Sequence, residues 1–129
     1  MNDLQEGEGT ELLEDGSEYK GNFKHGMKHG SGTYKWSDGT TYSGHWLQNA
    51  IHGEGVYEWS DGRKYEGQWK RGKINGKGTY IWKDGRLYEG HYKDDEKHGL
   101  GTYVWPDGKK YEGYWKEGVR HGQGKFTNS

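Results

Sequence analysis

The stretch YEGQWKRGKINGKGTYIWKDG, residues 65–85, decides how the rest of the chain is read. Tyr65, Gly67 and Trp69 stand two apart, and so do Gly76, Gly78, Tyr80 and Trp82. A spacing of two gathers side chains on one face of a strand, whereas three or four would gather them on one face of a helix. Each run therefore reads as a strand with one aromatic, glycine-bearing face and one polar face. Asp84-Gly85 closes the stretch. Asp-Gly between alternating runs signals a hairpin, because glycine accepts the positive φ of a tight turn.

The same pattern recurs on both sides. Tyr19, Tyr42, Tyr65, Tyr88 and Tyr111 are each 23 residues apart. Gly21, Gly44, Gly67, Gly90 and Gly113 follow them by two residues, then Phe23, Trp46, Trp69, Tyr92 and Trp115 by two more. A glycine pair such as Gly53/Gly55 and a second aromatic (Tyr34, Tyr57, Tyr80, Tyr103 or Phe126) complete each copy. Trp36, Trp59, Trp82 and Trp105 precede the Asp-Gly turns. A worn copy opens the array, with Gly7, Gly9 and Asp15-Gly16 kept but Glu11 and Leu13 in place of aromatics. A second loop carries Gly26, Asn49, Gly72, Asp95 and Gly118 at one position. Substitution confined to glycine, asparagine and aspartate predicts a left-handed turn residue there.

These observations predict an all-β fold: an elongated, single-layer, twisted antiparallel sheet of tandem 23-residue β-hairpins. The array is expected over residues 7–126, with an acidic tail at 1–6 and a short tail at 127–129. The last copy reads as stopping after one strand at Phe126. In-strand glycine weakens a strand. Here each glycine is expected to leave space for a neighbouring ring, letting the sheet curl with its aromatic face concave.

Composition narrows the function. Only 27% of residues are hydrophobic and 16% are aromatic, so any core is thin and built of rings. With 19 basic and 20 acidic residues the chain lacks the positive surplus of a nucleic-acid binder. It has no cysteine, hence no disulfide and no thiolate zinc site. Met1–Glu8 does not read as a signal peptide, and no apolar run approaches membrane-spanning length. A cytoplasmic protein is the expectation.

His29, His52, His98 and His121 share one repeat position. Copies about 10 Å apart cannot share a zinc ion, so these read as loop histidines that bond the turns. Residues 67–73 nearly match a phosphate-binding loop, but Ile74 replaces the magnesium-binding hydroxyl and no strand-to-helix context surrounds them. The Asp-Gly carboxylates stand in solvated turns, without the cleft that acid–base catalysis needs. No catalytic residue, cofactor or metal is expected. Arg63, Lys64, Lys70, Arg71, Lys73 and Lys77 make the third copy basic, so anionic phospholipid is a secondary candidate partner.

Stretches such as Tyr65-Glu66-Gly67-Gln68-Trp69 and His98-Gly99-Leu100-Gly101-Thr102-Tyr103 resemble the MORN-repeat family, and the resemblance runs from Gly7 to Phe126. It implies a single-layer sheet with a groove. It also implies a scaffolding role at cytoskeletal, ciliary or membrane-contact structures. Some relatives carry an appended lipid kinase or methyltransferase domain, which makes a regulatory region of a larger enzyme an alternative. From the rings themselves, the expected function is a non-catalytic adaptor. It would bind a partner's amphipathic helix or extended peptide along the aromatic groove. Trp46, Tyr57, Trp59, Trp69, Tyr80, Trp82 and Tyr103 are the expected contacts. Open strand edges at the ends suit either continuation of a longer array, the favoured reading, or end-to-end self-association.

Overall fold

The computed structural model describes residues 6–128. Most of the expected N-terminal tail and Ser129 lie outside that range. Eleven strands form one antiparallel sheet in simple sequence order. They are β1 (Gly7–Leu12), β2 (Glu18–Lys24), β3 (Met27–Lys35), β4 (Thr41–Leu47), β5 (Ala50–Glu58), β6 (Lys64–Lys70), β7 (Lys73–Ile81), β8 (Leu87–Lys93), β9 (Glu96–Val104), β10 (Lys110–Lys116) and β11 (Val119–Thr127). At roughly 4.8 Å per gap the sheet extends about 50 Å across its strands. Every strand pairs only with its sequence neighbours, as a linear array requires. The last copy is a complete hairpin of β10 and β11, which corrects the one-strand expectation. Val119 to Thr127 carries little apolar character, but β10 supplies a template that pairs with it regardless.

Two kinds of turn alternate. Between β6 and β7, Arg71 and Gly72 have φ of 49° and 82°. Two successive positive φ values define the turn whose twist matches a hairpin. Asn49 and Asp95 take φ 70° at the position of Gly72, as their residue types predicted. The partner position tolerates ordinary residues at positive φ: His25, Gln48, Arg71, Asp94 and Glu117. At the other end of each hairpin, Gly39 donates to the Trp36 carbonyl at 3.0 Å and Trp36 donates to the Thr40 carbonyl at 2.8 Å. Asp38 tightens this loop by accepting from the Thr40 N–H at 2.9 Å.

The in-strand glycines allow close approach. A β-carbon at Gly55 would fall on the ring of Tyr42, and one at Gly44 would strike the Gly55 backbone. The long strands also bulge: from Gly44–Gly55 to Trp46–Ile51, β5 advances four residues while β4 advances two. Such bulges increase local twist.

Nearly all rings lie on one face, in two rows. The deeper row runs through Phe23, Tyr19, Trp46, Tyr42, Trp69, Tyr65, Tyr92, Tyr88, Trp115 and Tyr111. Neighbours there meet edge to face, for instance Tyr42–Trp46 at 5.2 Å and 89°. Tyr42 then reaches across to Trp69 at 5.8 Å and 85°, so each copy locks onto the next. Tyr19, Tyr42, Tyr65 and Tyr88 are fully buried. Each satisfies its hydroxyl by donating to a carbonyl three residues along, as Tyr65 does to Gln68 at 3.0 Å. Burying a ring stabilises by about 1.5–3 kcal/mol, and each edge contact adds about 0.5–1.5 kcal/mol. A single layer of rings is thereby a sufficient core.

Candidate functional site

The second row is shallower and follows the Asp-Gly loops. Tyr34, Trp36, Tyr57, Trp59, Tyr80, Trp82, Tyr103, Trp105 and Phe126 form an unbroken ladder with centroid separations such as 4.5 Å for Tyr57–Trp59 and 5.3 Å for Trp59–Tyr80. The seven expected contacts divide between the rows. Trp46 and Trp69 belong to the deep row and are each 6% exposed. Tyr57, Trp59, Tyr80, Trp82 and Tyr103 belong to the ladder; among them Tyr57, Trp59 and Trp82 are half-buried.

The ladder opens at the centre of the array. A hollow of about 430 Å³ is lined by Trp36, Ile51, Tyr57, Trp59, Trp69, Gly72, Ile74, Tyr80 and Asp95. It brings together four of the expected residues: Tyr57, Trp59, Trp69 and Tyr80. Trp46, Trp82 and Tyr103 lie outside it. Trp36, Ile51, Ile74 and Asp95 were missed by reading the sequence. The signal was present, since the position nine residues after each repeat tyrosine reads Lys28, Ile51, Ile74, Lys97 and Arg120.

That position explains why the hollow is central. The Lys28 ammonium stands 5.5, 5.3 and 5.9 Å from the ring centres of Tyr19, Tyr34 and Trp46. Lys97 stands 5.5–5.7 Å from those of Trp82, Tyr88, Tyr103 and Trp115. Burial among these rings pushes its ammonium below the usual lysine range, and Arg86 adds to this. The isoleucines end short of that depth and leave the middle open. Their backbones are fixed by the turn of the following copy: Asp95 N–H donates to the Ile74 carbonyl at 2.9 Å, and Ile74 N–H donates to the Asp95 carboxylate at 2.7 Å.

Charge at the loop edge is largely self-matched. Arg63 lies over Trp59 at 4.9 Å, pairs with Asp61 at 2.8 Å and donates to the Tyr80 hydroxyl at 3.0 Å. Arg86 repeats the arrangement on Trp82, Asp84 and Tyr103. The equivalent of Arg63 one copy earlier is Thr40, so no arginine neutralises Asp38 beside Tyr57.

The polar face is hollowed too. An opening of about 760 Å³ is floored by Gly9, Gly21, Gly32 and Gly44 and flanked by residues such as Glu8, Lys20 and Ser43. This opening lies on the face opposite the rings. Along the glycine row no side chain rises from the sheet. Among the described residues no three histidines, cysteines or carboxylates converge as a metal site. His52 Nδ1 accepts from the Arg71 N–H at 3.3 Å, a bond to a turn. Residues 67–73 run from β6 through a hairpin turn into β7, without a helix.

The fold defines a linear β-hairpin repeat protein with its rings gathered on one face. The MORN-repeat model matches residues 1–18, 19–41, 42–62, 65–85, 88–110 and 111–129, and the chain belongs to that family. The six matches include the worn first copy. Repeats of this family are a non-catalytic type that commonly mediates protein or membrane interactions. A comparison with curated proteins returns no match.

Proposed function

We propose that this protein is a non-catalytic scaffold that holds a segment of a partner protein against its aromatic ladder. The observation that carries the reading is the central hollow. There, broad apolar rings with polar edges, among them the half-buried Trp36, Tyr57 and Trp59, border an open hollow beside the packed deep row. Tyr57, Trp59, Trp69, Tyr80 and Trp82 are the direct contacts, and Trp46 acts from beneath by fixing the ladder. An extended peptide or an amphipathic helix is the kind of segment that lays apolar side chains into a row of aromatic rings. The cytoplasm, and a cytoskeletal, ciliary or membrane-contact assembly, is the setting that the family resemblance suggests. End-to-end pairing through the outer strands β1 and β11 is a secondary interaction of this proposal.

Phospholipid binding is the weaker reading because the arginines nearest the ladder already hold carboxylates at 2.8 Å. Affinity capture with the chain, read by mass spectrometry, tests the proposal against the Trp59→Ser/Trp82→Ser double variant. A partner retained by the wild type and lost by the folded variant is expected. Equal capture by both, or co-sedimentation with anionic vesicles in place of any protein, would remove it.

A further inference from the structure

The repeat carries its own model of an occupant. In two copies a lysine places its ammonium among the rings; in the copy centred on Ile51 the same rings stand around an aliphatic side chain. Shifting the Lys97 cage by two repeats maps Trp82, Tyr88, Tyr103 and Trp115 onto Trp36, Tyr42, Tyr57 and Trp69. Of these, Trp36, Tyr57 and Trp69 line the hollow. Among the described residues no cation of the chain lies over these rings, whereas Arg63 already covers Trp59 in the next copy. Acidic groups flank the place: Asp38 lies near Tyr57, and Asp95 lines the opposite side. Aromatic faces attract cations through their quadrupole, most strongly when the cation is desolvated.

We propose that the cage of Trp36, Tyr57 and Trp69 above Ile51 takes a lysine ammonium, free or methylated, from the partner protein, where Lys28 and Lys97 serve in their own copies. The inference rests on the scaffold reading and names the residue type that anchors the partner. Lysine is favoured over a lipid choline because this chain demonstrates the fit with lysine itself.

The test follows the tryptophan indole N–H signals by NMR during titration with N-acetyl-trimethyllysine amide. A neutral isostere, with carbon in place of the ammonium nitrogen, serves as control. The cation is expected to shift Trp36 and Trp69 and to bind about threefold or more tighter than the isostere, the range that cation–π attraction supplies. Ile51→Lys, a residue the repeat already accommodates twice, should abolish binding. Lys97→Ile combined with Arg86→Thr, which clears the guanidinium now 5.2 Å from the Trp82 ring, should open a second site reported by Trp82 and Trp115. Equal binding of the isostere, or undiminished binding to the folded Ile51→Lys variant, would overturn the inference. So would binding to phosphatidylcholine vesicles without binding to the lysine probe. Capture of a protein segment that survives Ile51→Lys but not the Trp59/Trp82 change would overturn the lysine anchor alone and leave the scaffold standing.

Discussion

The ring of Tyr65 occupies the space that a side chain at Gly78 would need: a β-carbon there would stand 2.6 Å from Cε1 and closer still to Cζ and the hydroxyl. Tyr65 cannot retreat. Its hydroxyl bonds to Gln68, and its ring is held edge-on by Trp69 at 5.2 Å and Tyr92 at 5.7 Å. Gly78→Ala should therefore cost about 3 kcal/mol, the upper end for overpacking. Urea denaturation measures it, and a loss well under 1 kcal/mol would contradict the packing described.

Gly72 offers a purely conformational contrast. A β-carbon there meets nothing within 4 Å, so any penalty comes from φ 82°. Gly72→Val should be less stable than Gly72→Asn by about 1–2 kcal/mol, since β-branched residues resist the left-handed region. Gly72→Asn should be close to neutral, because Asn49 holds φ 70° at the same place and accepts from Lys28 N–H at 2.8 Å. Thermal melts of the two variants decide this.

Two tryptophans at one repeat position should respond differently to loss of the indole N–H. Trp46 donates to the Gly32 carbonyl at 3.0 Å, whereas the buried Trp69 Nε1 has no partner. Trp69→Phe should be milder than Trp46→Phe by about 1 kcal/mol, the net value of one hydrogen bond. Phe23 shows that the position accepts phenylalanine. Chemical denaturation of both variants gives the comparison.

Stability should fall at both extremes of pH. Burial pushes Tyr42 and Tyr88 up to about 12, above the unfolded phenol near 10. Their contribution is complete below about pH 10 and is lost as pH rises toward 12. Phenolate absorption should appear together with unfolding; free titration in a folded chain would refute the burial. At the acid end, backbone N–H donors two residues on lower Asp38, Asp84 and Asp107, and the Arg63 side chain together with its N–H lowers Asp61. That contribution is present above the unfolded carboxylate value near 3.9 and is lost as pH falls below it. Melting temperature against pH should show both limbs.

The alternation at Tyr65, Gly67 and Trp69, and the glycine, asparagine and aspartate at the Gly72 position, made the hairpins legible because turn φ and strand face are local properties. The completeness of the last hairpin was not legible, since β11 pairs through backbone groups that composition does not report. The candidate site was legible in kind but not in place. Trp46 and Trp59 look alike in sequence, yet one is buried against a ring of the neighbouring copy and the other is half-buried beside the hollow.

By itself the sequence determined the strand period, the turns and the gathering of rings on one face, because each follows from the covalent geometry of a few adjacent residues. Only the tertiary structure decided which rings stay open. The depth of a ring depends on how the next copy packs against it, and the hollow depends on whether a lysine or an isoleucine reaches in from a strand of the same sheet. Those contacts join residues 15–21 positions apart, such as Lys97 to Trp82 and Asp95 to Ile74, and they form only when successive hairpins stack.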